Sequence, residues 1–142
     1  YSGERDKKVE KSVEKVNKSW GGSFEVIFSH NWKQTVKEWK QNGGNIVHLT
    51  MYGLPVQEII NEIKIFQKNM LIIVGGAKVP GSAYKLADWN VSVTSQPHSE
   101  VSALSIFLHE FFEGTELLKQ YESAENRIIP QAKGKKVVKM NL

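Results

Sequence analysis

Apolar residues recur at the spacing of one helix face in three stretches of the first half of the chain. These stripes consist of Val9, Val13, Val16 and Trp20; of Trp32, Val36 and Trp39; and of Ile59, Ile60, Ile63 and Phe66. They predict three amphipathic helices. The first is expected to end at Gly21 and the second, which follows Asn31 as its N-cap, at Gly43, because glycine commonly terminates helices. The third is expected to begin at Pro55, whose fixed φ suits a helix start.

Short apolar runs lie between these helices and predict four strands. They cover residues 24–28 (FEVIF), 45–51 (NIVHLTM), 70–74 (MLIIV) and 90–93 (NVSV). The run at 70–74 has no polar alternation, which suits a strand buried on both faces of a parallel sheet. A short helix is predicted over residues 80–88. A long helix is predicted over residues 98–112, and its inner face would consist of Val101, Leu104, Leu108 and Phe111.

Helices and strands therefore alternate along most of the chain. Such alternation is typical of an α/β fold whose parallel strands are joined by right-handed crossovers. The end of the chain differs, because residues 127–129 (RII) and 136–138 (KVV) flank the turn-forming pair Lys133-Gly134. We expect a hairpin-like appendage within a C-terminal extension over residues 122–142.

Three turns marked by glycine or proline each follow a predicted strand. They are residues 53–55 (GLP), 75–80 (GGAKVP) and 95–100 (SQPHSE). Open α/β sheets bind ligands beyond the carboxyl ends of their strands, so we expect the three turns to share one pocket. Two adjacent glycines would let a ligand approach the backbone, although a tight strand-to-helix turn would also use them. The GxGxxG and GxxxxGK[ST] fingerprints are absent, so neither NAD nor a nucleoside triphosphate is indicated.

Composition and charge narrow the class of protein. The 142 residues suit one domain, and the absence of cysteine excludes disulfides, thiolate nucleophiles and cysteine-based zinc sites. No apolar run approaches the roughly 20 residues that span a bilayer. We expect a cytoplasmic protein with no membrane or metal partner. The net charge of +4 permits nucleic acid as a partner, or else a solvated basic tail, at Lys133, Lys135, Lys136 and Lys139.

Several polar side chains have both a structural and a functional interpretation. Ser99 and Glu100 stand where they would cap the long helix and favour its dipole, or contact a ligand. His48 and His109 are interpreted as structural, since their positions on a strand and a helix do not suggest a metal site. The GxSxG and HExxH motifs are absent, so the residues alone suggest no hydrolase.

Three segments are more specific than these general patterns. Residues 48–53 (HLTMYG), 75–80 (GGAKVP) and 86–101 (LADWNVSVTSQPHSEV) follow one another in this order. Together they closely resemble the archaeal tRNA cytidine 2′-O-methyltransferases of the SPOUT class. The resemblance covers nearly the whole chain, including residues 1–6 (YSGERD), and the SQPHSE segment is its most specific part.

The resemblance implies a single SPOUT domain over residues 1–142, with helices on both faces of a mostly parallel sheet and a deep C-terminal trefoil knot. It implies S-adenosylmethionine as the cofactor, a homodimer, and tRNA as the substrate, methylated on the ribose of the T-loop cytidine at position 56. The family's cofactor contacts carry over onto Leu49; onto Gly75, Gly76, Ala77, Lys78 and Val79; and onto Val93, Thr94, Ser95, Gln96, Pro97, His98, Ser99 and Glu100.

The catalytic residue is the part of the site that the resemblance does not place in this chain. Members of the family begin with a strand and a basic motif whose arginine assists attack by the ribose hydroxyl. This chain resembles them only downstream of that motif, so the expected arginine would lie upstream. An alternative is therefore a non-catalytic RNA-binding or regulatory SPOUT-like module. The alternation of elements, taken alone, also allows a flavodoxin-like ligand-binding domain.

Overall fold

The computed structural model describes residues 1–66, 69–76 and 78–140. The chain forms two compact units, one of Tyr1–Trp32 with Lys119–Leu142 and the other of Lys33–Leu118. In the described part of the chain, no helix has the length and apolar character required to cross a membrane.

The second unit is built around a three-stranded parallel sheet. Its strands are β1 (Asn45–Pro55), β2 (Met70–Val74) and β3 (Trp89–Ser92), in the order β2-β1-β3. Ile46 lies opposite Leu71 of β2, and His48 lies opposite Asn90 of β3. The predicted α/β fold with parallel strands is thus confirmed, and each of these three strands lies within about four residues of its predicted bounds.

Helices pack on both faces of this sheet. In chain order they are α2 (Trp32–Gln41), α3 (Val56–Ile65), α4 (Gly81–Leu86) and α5 (Glu100–Phe112), after α1 (Lys7–Trp20) in the first unit. Helices α3 and α5 cover the face that carries Val47 and Val91, and Phe107 of α5 is fully buried there. Helix α4 covers the other face, where its Tyr84 ring stands edge-on to His48, with centroids 4.6 Å apart. This division follows from the alternation of side chains along β1.

Some of the predicted burial is wrong, and the strand order explains the first case. Strand β2 is an edge strand with half-exposed residues, because β1 occupies the centre of the sheet. Phe66 lies beyond the end of α3 and is 46% exposed. Val101 does not belong to the inner face of α5, since it is 76% exposed, while Ala103 and Phe107 form the buried centre of that face.

The first unit contains one helix and a small antiparallel pair of strands. None of the residues of α1 is buried, and the helix ends at Gly21, whose φ of 82° requires glycine. The strand predicted over residues 24–28 is wrong. The main chain of Tyr1 bonds to that of Ile27 and Ser29, but no regular ladder forms there in the described residues. Near the end of the chain, β4 (Asn126–Ile128) pairs with β5 (Val137–Lys139).

Candidate functional site

A pocket of about 450 Å³ opens at the carboxyl ends of the parallel strands in the second unit. Its volume lies within the range of roughly 300–1,000 Å³ that is usual for small-molecule sites. Residues from β1, from the turn after β2, from α4 and from the start of α5 contribute to it. The lining consists of His48, Leu49, Thr50, Met51, Tyr52, Val74, Gly75, Gly76, Lys78, Val79, Tyr84, Pro97, His98, Glu100 and Ala103.

An arch in β1 forms one wall of the pocket. Leu49 and Leu54 both lie opposite Val91 of β3, so the four residues between them leave the regular pairing. Tyr52 stands on this arch, lines the pocket and is 76% exposed. A side chain at Gly53 would come within 2.5 Å of the main chain of β3, which explains the glycine. Residues 53–55 are therefore not a separate turn, as the sequence had predicted, but belong to β1.

The two glycines after β2 have different surroundings. A β-carbon at Gly75 would meet the side chain of Val79, whereas one at Gly76 would meet no atom of the described residues within 4 Å. Neither glycine has a positive φ. The backbone conformation at Gly76 does not require glycine. Since Gly76 lines the pocket, a side chain at this position would project into open space next to it.

The start of α5 supplies the opposite wall. Ser99 caps the helix, since its hydroxyl oxygen accepts a hydrogen bond from the Ser102 amide at 3.1 Å, as predicted for a capping serine. His98 and Glu100, on either side of this cap, line the pocket. Both ring nitrogens of His98 are buried and have no hydrogen-bond partner in the described part of the chain. Buried ring nitrogens usually have partners, so His98 has unused capacity to bind a ligand.

A polar network joins β1, β3 and α4 where they border the pocket. Asn90 Oδ1 lies 2.8 Å from His48 Nδ1, and Asn90 Nδ2 donates to the main-chain oxygen of Tyr84 at 3.0 Å. The hydroxyl groups of Tyr84 and Thr50 are 3.1 Å apart. Sequence reasoning took His48 as structural and missed Thr50 and Tyr84. The alternation of β1 is the available signal, because it places residues 48 and 50 on the same face.

The structure brings together eight of the residues predicted to contact the cofactor. The residues that line the pocket are Leu49, Gly75, Gly76, Lys78, Val79, Pro97, His98 and Glu100. The other predicted cofactor contacts in the described chain do not belong to this lining; they are Val93, Thr94, Ser95, Gln96 and Ser99. Ala77 lies outside the described residues. Ser95 and Gln96 are exposed, and the Gln96 amide donates to Thr94 Oγ1 at 3.3 Å, which folds this loop on itself.

A second cavity lies between α3 and α5, away from the strand ends. Lys64 Nζ and Glu113 Oε1 are 2.9 Å apart at its edge, and the hydrogen bond from Lys64 lowers the pKa of Glu113. His109 also borders this cavity and pairs with Glu116, whose pKa its hydrogen bond lowers. Glu116 Oε2 has no hydrogen-bond partner in the described part of the chain, but the two ion pairs give the cavity the character of a charged surface cleft.

Comparison with known proteins identifies related sequences. A family model described as tRNA ribose 2′-O-methyltransferase, aTrm56, matches residues 20–138. The chain is 49% identical over 134 residues to the tRNA (cytidine(56)-2′-O)-methyltransferase of Methanothermobacter thermautotrophicus, and the match covers 94% of this chain and 75% of that protein. The protein of the same name from Hyperthermus butylicus is 52% identical over 133 residues, covering 94% and 71%.

A third relative of that name, from Pyrococcus horikoshii, is 49% identical over 140 residues, which are 96% of this chain and 68% of that protein. Identity of this degree over nearly the whole chain indicates common ancestry and a common fold. The match includes the strand β1, the turn after β2 and the start of α5, which together enclose the pocket. The chain belongs to the tRNA ribose 2′-O-methyltransferase family aTrm56.

Proposed function

We propose that this protein transfers a methyl group from S-adenosylmethionine to the 2′-oxygen of the cytidine at position 56 of tRNA, the methylation that the names of its relatives give. The observation that carries the proposal is the pocket itself. Residues from both segments that resemble the family most closely, GGAKVP and SQPHSE, line one cavity at the carboxyl edge of a parallel sheet.

The residues of the pocket fit such a cofactor. Leu49 and Val79 offer apolar contact for a purine, and the open space at Gly76 lets the ligand approach the main chain. Lys78, His98 and Glu100 offer polar groups for the ribose and the amino-acid end. When bound, the cofactor supplies an activated methyl carbon on a sulfonium, so no metal is required for the transfer. The role of the protein is then to exclude water and to hold the reacting atoms in line.

We propose that the tRNA reaches the pocket from the side of the arch, where exposed Tyr52 offers a ring on which an unstacked base can rest. The exposed lysines of the tail, Lys133 to Lys139, would contact phosphates. The catalytic arginine upstream of these residues stays a prediction. So do the single SPOUT domain, the trefoil knot, the C-terminal appendage and the cytoplasmic location.

Methyl transfer from tritiated S-adenosylmethionine tests the proposed reaction. Transcribed tRNA is the substrate, tRNA with a 2′-deoxycytidine at position 56 is the matched control, and nucleoside digestion identifies the product. We expect label as 2′-O-methylcytidine from the first substrate and none from the second. Label on a base would contradict the reaction type. Binding of tRNA without any transfer would favour the non-catalytic RNA-binding module instead.

A further inference from the structure

The imidazole of His48 is fully buried at the border of the pocket, yet one of its two nitrogens has no partner in the described chain. Its Nδ1 lies 2.8 Å from Asn90 Oδ1, and its Nε2 is shielded from solvent without a hydrogen bond. A buried polar atom of this kind costs stability unless something satisfies it. His48 lines the pocket, so a bound ligand is the available source of a partner.

The surrounding network fixes which nitrogen carries the hydrogen. Asn90 donates through Nδ2 to the main-chain oxygen of Tyr84, so its Oδ1 is the atom that faces His48. An amide oxygen only accepts, and Nδ1 of His48 must therefore donate to it. In the neutral ring, Nε2 then has a lone pair and no hydrogen. Nε2 of His48 is consequently a hydrogen-bond acceptor without a donor in the described chain.

The ring is also held in place by its neighbours. The Tyr84 ring stands perpendicular to it, and the hydroxyl of Tyr84 is in turn linked to Thr50 at 3.1 Å. Tyr84 is anchored by the adjacent Ala83, which is buried on the sheet. Because Asn90 of β3 and Tyr84 of α4 both contact the imidazole, the ring has little freedom to rotate.

We propose that His48 is a positioning residue whose Nε2 accepts a hydrogen bond from a hydroxyl or amine hydrogen on the nucleoside part of the cofactor. This inference rests on the proposed function, because it takes the pocket as the cofactor site. It goes beyond the proposed function by assigning His48 Nε2 as the acceptor for a hydrogen-bond donor on the nucleoside. His98 has two unpartnered nitrogens as well, but no contact in the described structure fixes its tautomer.

Nitrogen-15 NMR of the intact protein tests the contact without any turnover. With labelled histidine, Nε2 of His48 should show the shift of an unprotonated nitrogen in the free protein and move upfield when S-adenosylhomocysteine is added, because an accepted hydrogen bond shields it. His48→Phe identifies the resonance among the four histidines. An Nε2 that carries a hydrogen in the free protein, or one that stays unchanged at saturating ligand, overturns the proposal.

Two substitutions provide a matched pair for calorimetry with S-adenosylhomocysteine. His48→Asn keeps an amide donor near the position of Nδ1 and removes the acceptor at Nε2, so we expect the Kd to rise about 5- to 150-fold. His48→Gln can place an amide oxygen near the position of Nε2 and should retain more of the affinity. Equal affinity of the wild type and both variants contradicts the proposal.

The same titration separates this inference from the proposed function. If the wild-type protein does not bind S-adenosylhomocysteine at millimolar concentration, the cofactor assignment fails and the role of His48 fails with it. If the wild type binds and the His48 signal and affinities do not respond, only the role of His48 is wrong. Should a variant unfold, the NMR result on the wild-type protein still decides the question.

Discussion

Gly76 lines the pocket at a point where the fold shows no need for glycine. Its φ is not positive, and among the described residues a β-carbon would meet no atom within 4 Å. Gly53 is the opposite case, because a β-carbon there would press on the main chain of β3. Two glycines that look equivalent in the sequence thus differ in the structure: the sheet constrains Gly53, and we expect a ligand to be what constrains Gly76.

Substitution of Gly76 should separate binding from stability. We expect Gly76→Ala to raise the free energy of unfolding by about 0.4–1 kcal/mol, since it restricts the unfolded chain at a site that accepts alanine. Gly76→Val should weaken binding of S-adenosylhomocysteine about 5- to 150-fold by occupying space that the ligand needs. Urea denaturation and calorimetry measure the two effects. Normal binding by Gly76→Val would show that the turn is only structural.

Gly53→Ala is the matched control for this prediction. Its β-carbon would lie 2.5 Å from the main chain of Asn90, so the variant should be less stable by about 1–3 kcal/mol. A loss of binding in this variant should accompany its loss of stability. Unchanged stability would mean that the arch relaxes away from β3 at no cost.

At the scale of elements, α5 carries two apolar stripes rather than one. The inner stripe contains Ala103 and Phe107 and packs on the sheet. The outer stripe consists of Val101, Ser105 and Phe112, which are all exposed, while Leu108 packs against the core. Because the exposed Val101 and Phe112 are apolar as well, periodicity in the sequence could not assign Val101 to the correct face. Only the packing of the folded chain separates the two stripes.

The outer stripe of α5 is where we expect the homodimer proposed from the family resemblance to form. Val101 is 76% exposed and Phe112 is 46% exposed, although both are apolar. Sedimentation equilibrium should give a mass of twice 16.1 kDa for the wild type. Val101→Glu should shift it toward the single-chain mass, while Val101→Thr, which is similar in shape, should shift it less. A monomeric wild type, or a Val101→Glu variant that remains dimeric, would contradict this interface.

At the scale of the whole molecule, the sequence predicted the parallel sheet and two of the loops that border the pocket, but not the strand order. Apolar runs identify strands, and turns after strands identify the carboxyl edge, because both are local features of the chain. The central place of β1 depends on its pairing with β2 and β3, which are distant in sequence. The role of Tyr84 was missed for the same reason, since its partners Thr50 and His48 lie on another element.

The distribution of charge leads to a prediction about tRNA. Four lysines of the tail are exposed, and the protein has a net charge of +4. If they contact phosphates, replacing Lys133, Lys135, Lys136 and Lys139 by serine should weaken tRNA binding. The slope of log Kd against log salt concentration should also decrease, by about 0.9 for each duplex phosphate that a lysine no longer neutralises. The Kd for S-adenosylhomocysteine should stay constant.

Filter binding at several salt concentrations measures this slope. Lys7, Lys8, Lys11 and Lys15 of α1 provide a control set with the same charge, also exposed. The slope should decrease more in the tail variant than in this control. An equal decrease in the two variants would mean that net charge alone matters, and that the tail makes no specific contacts.

The arch in β1 has a property that reaches beyond the present substrate. Its two ends are fixed opposite the same residue, Val91, so the strand pairing before and after it does not depend on what the intervening residues do. Residues 51 and 52 are in this sense an exchangeable part, whereas Thr50 is tied to Tyr84 by its hydroxyl group. Different side chains can be installed there to alter what the pocket accepts, provided that glycine remains at position 53.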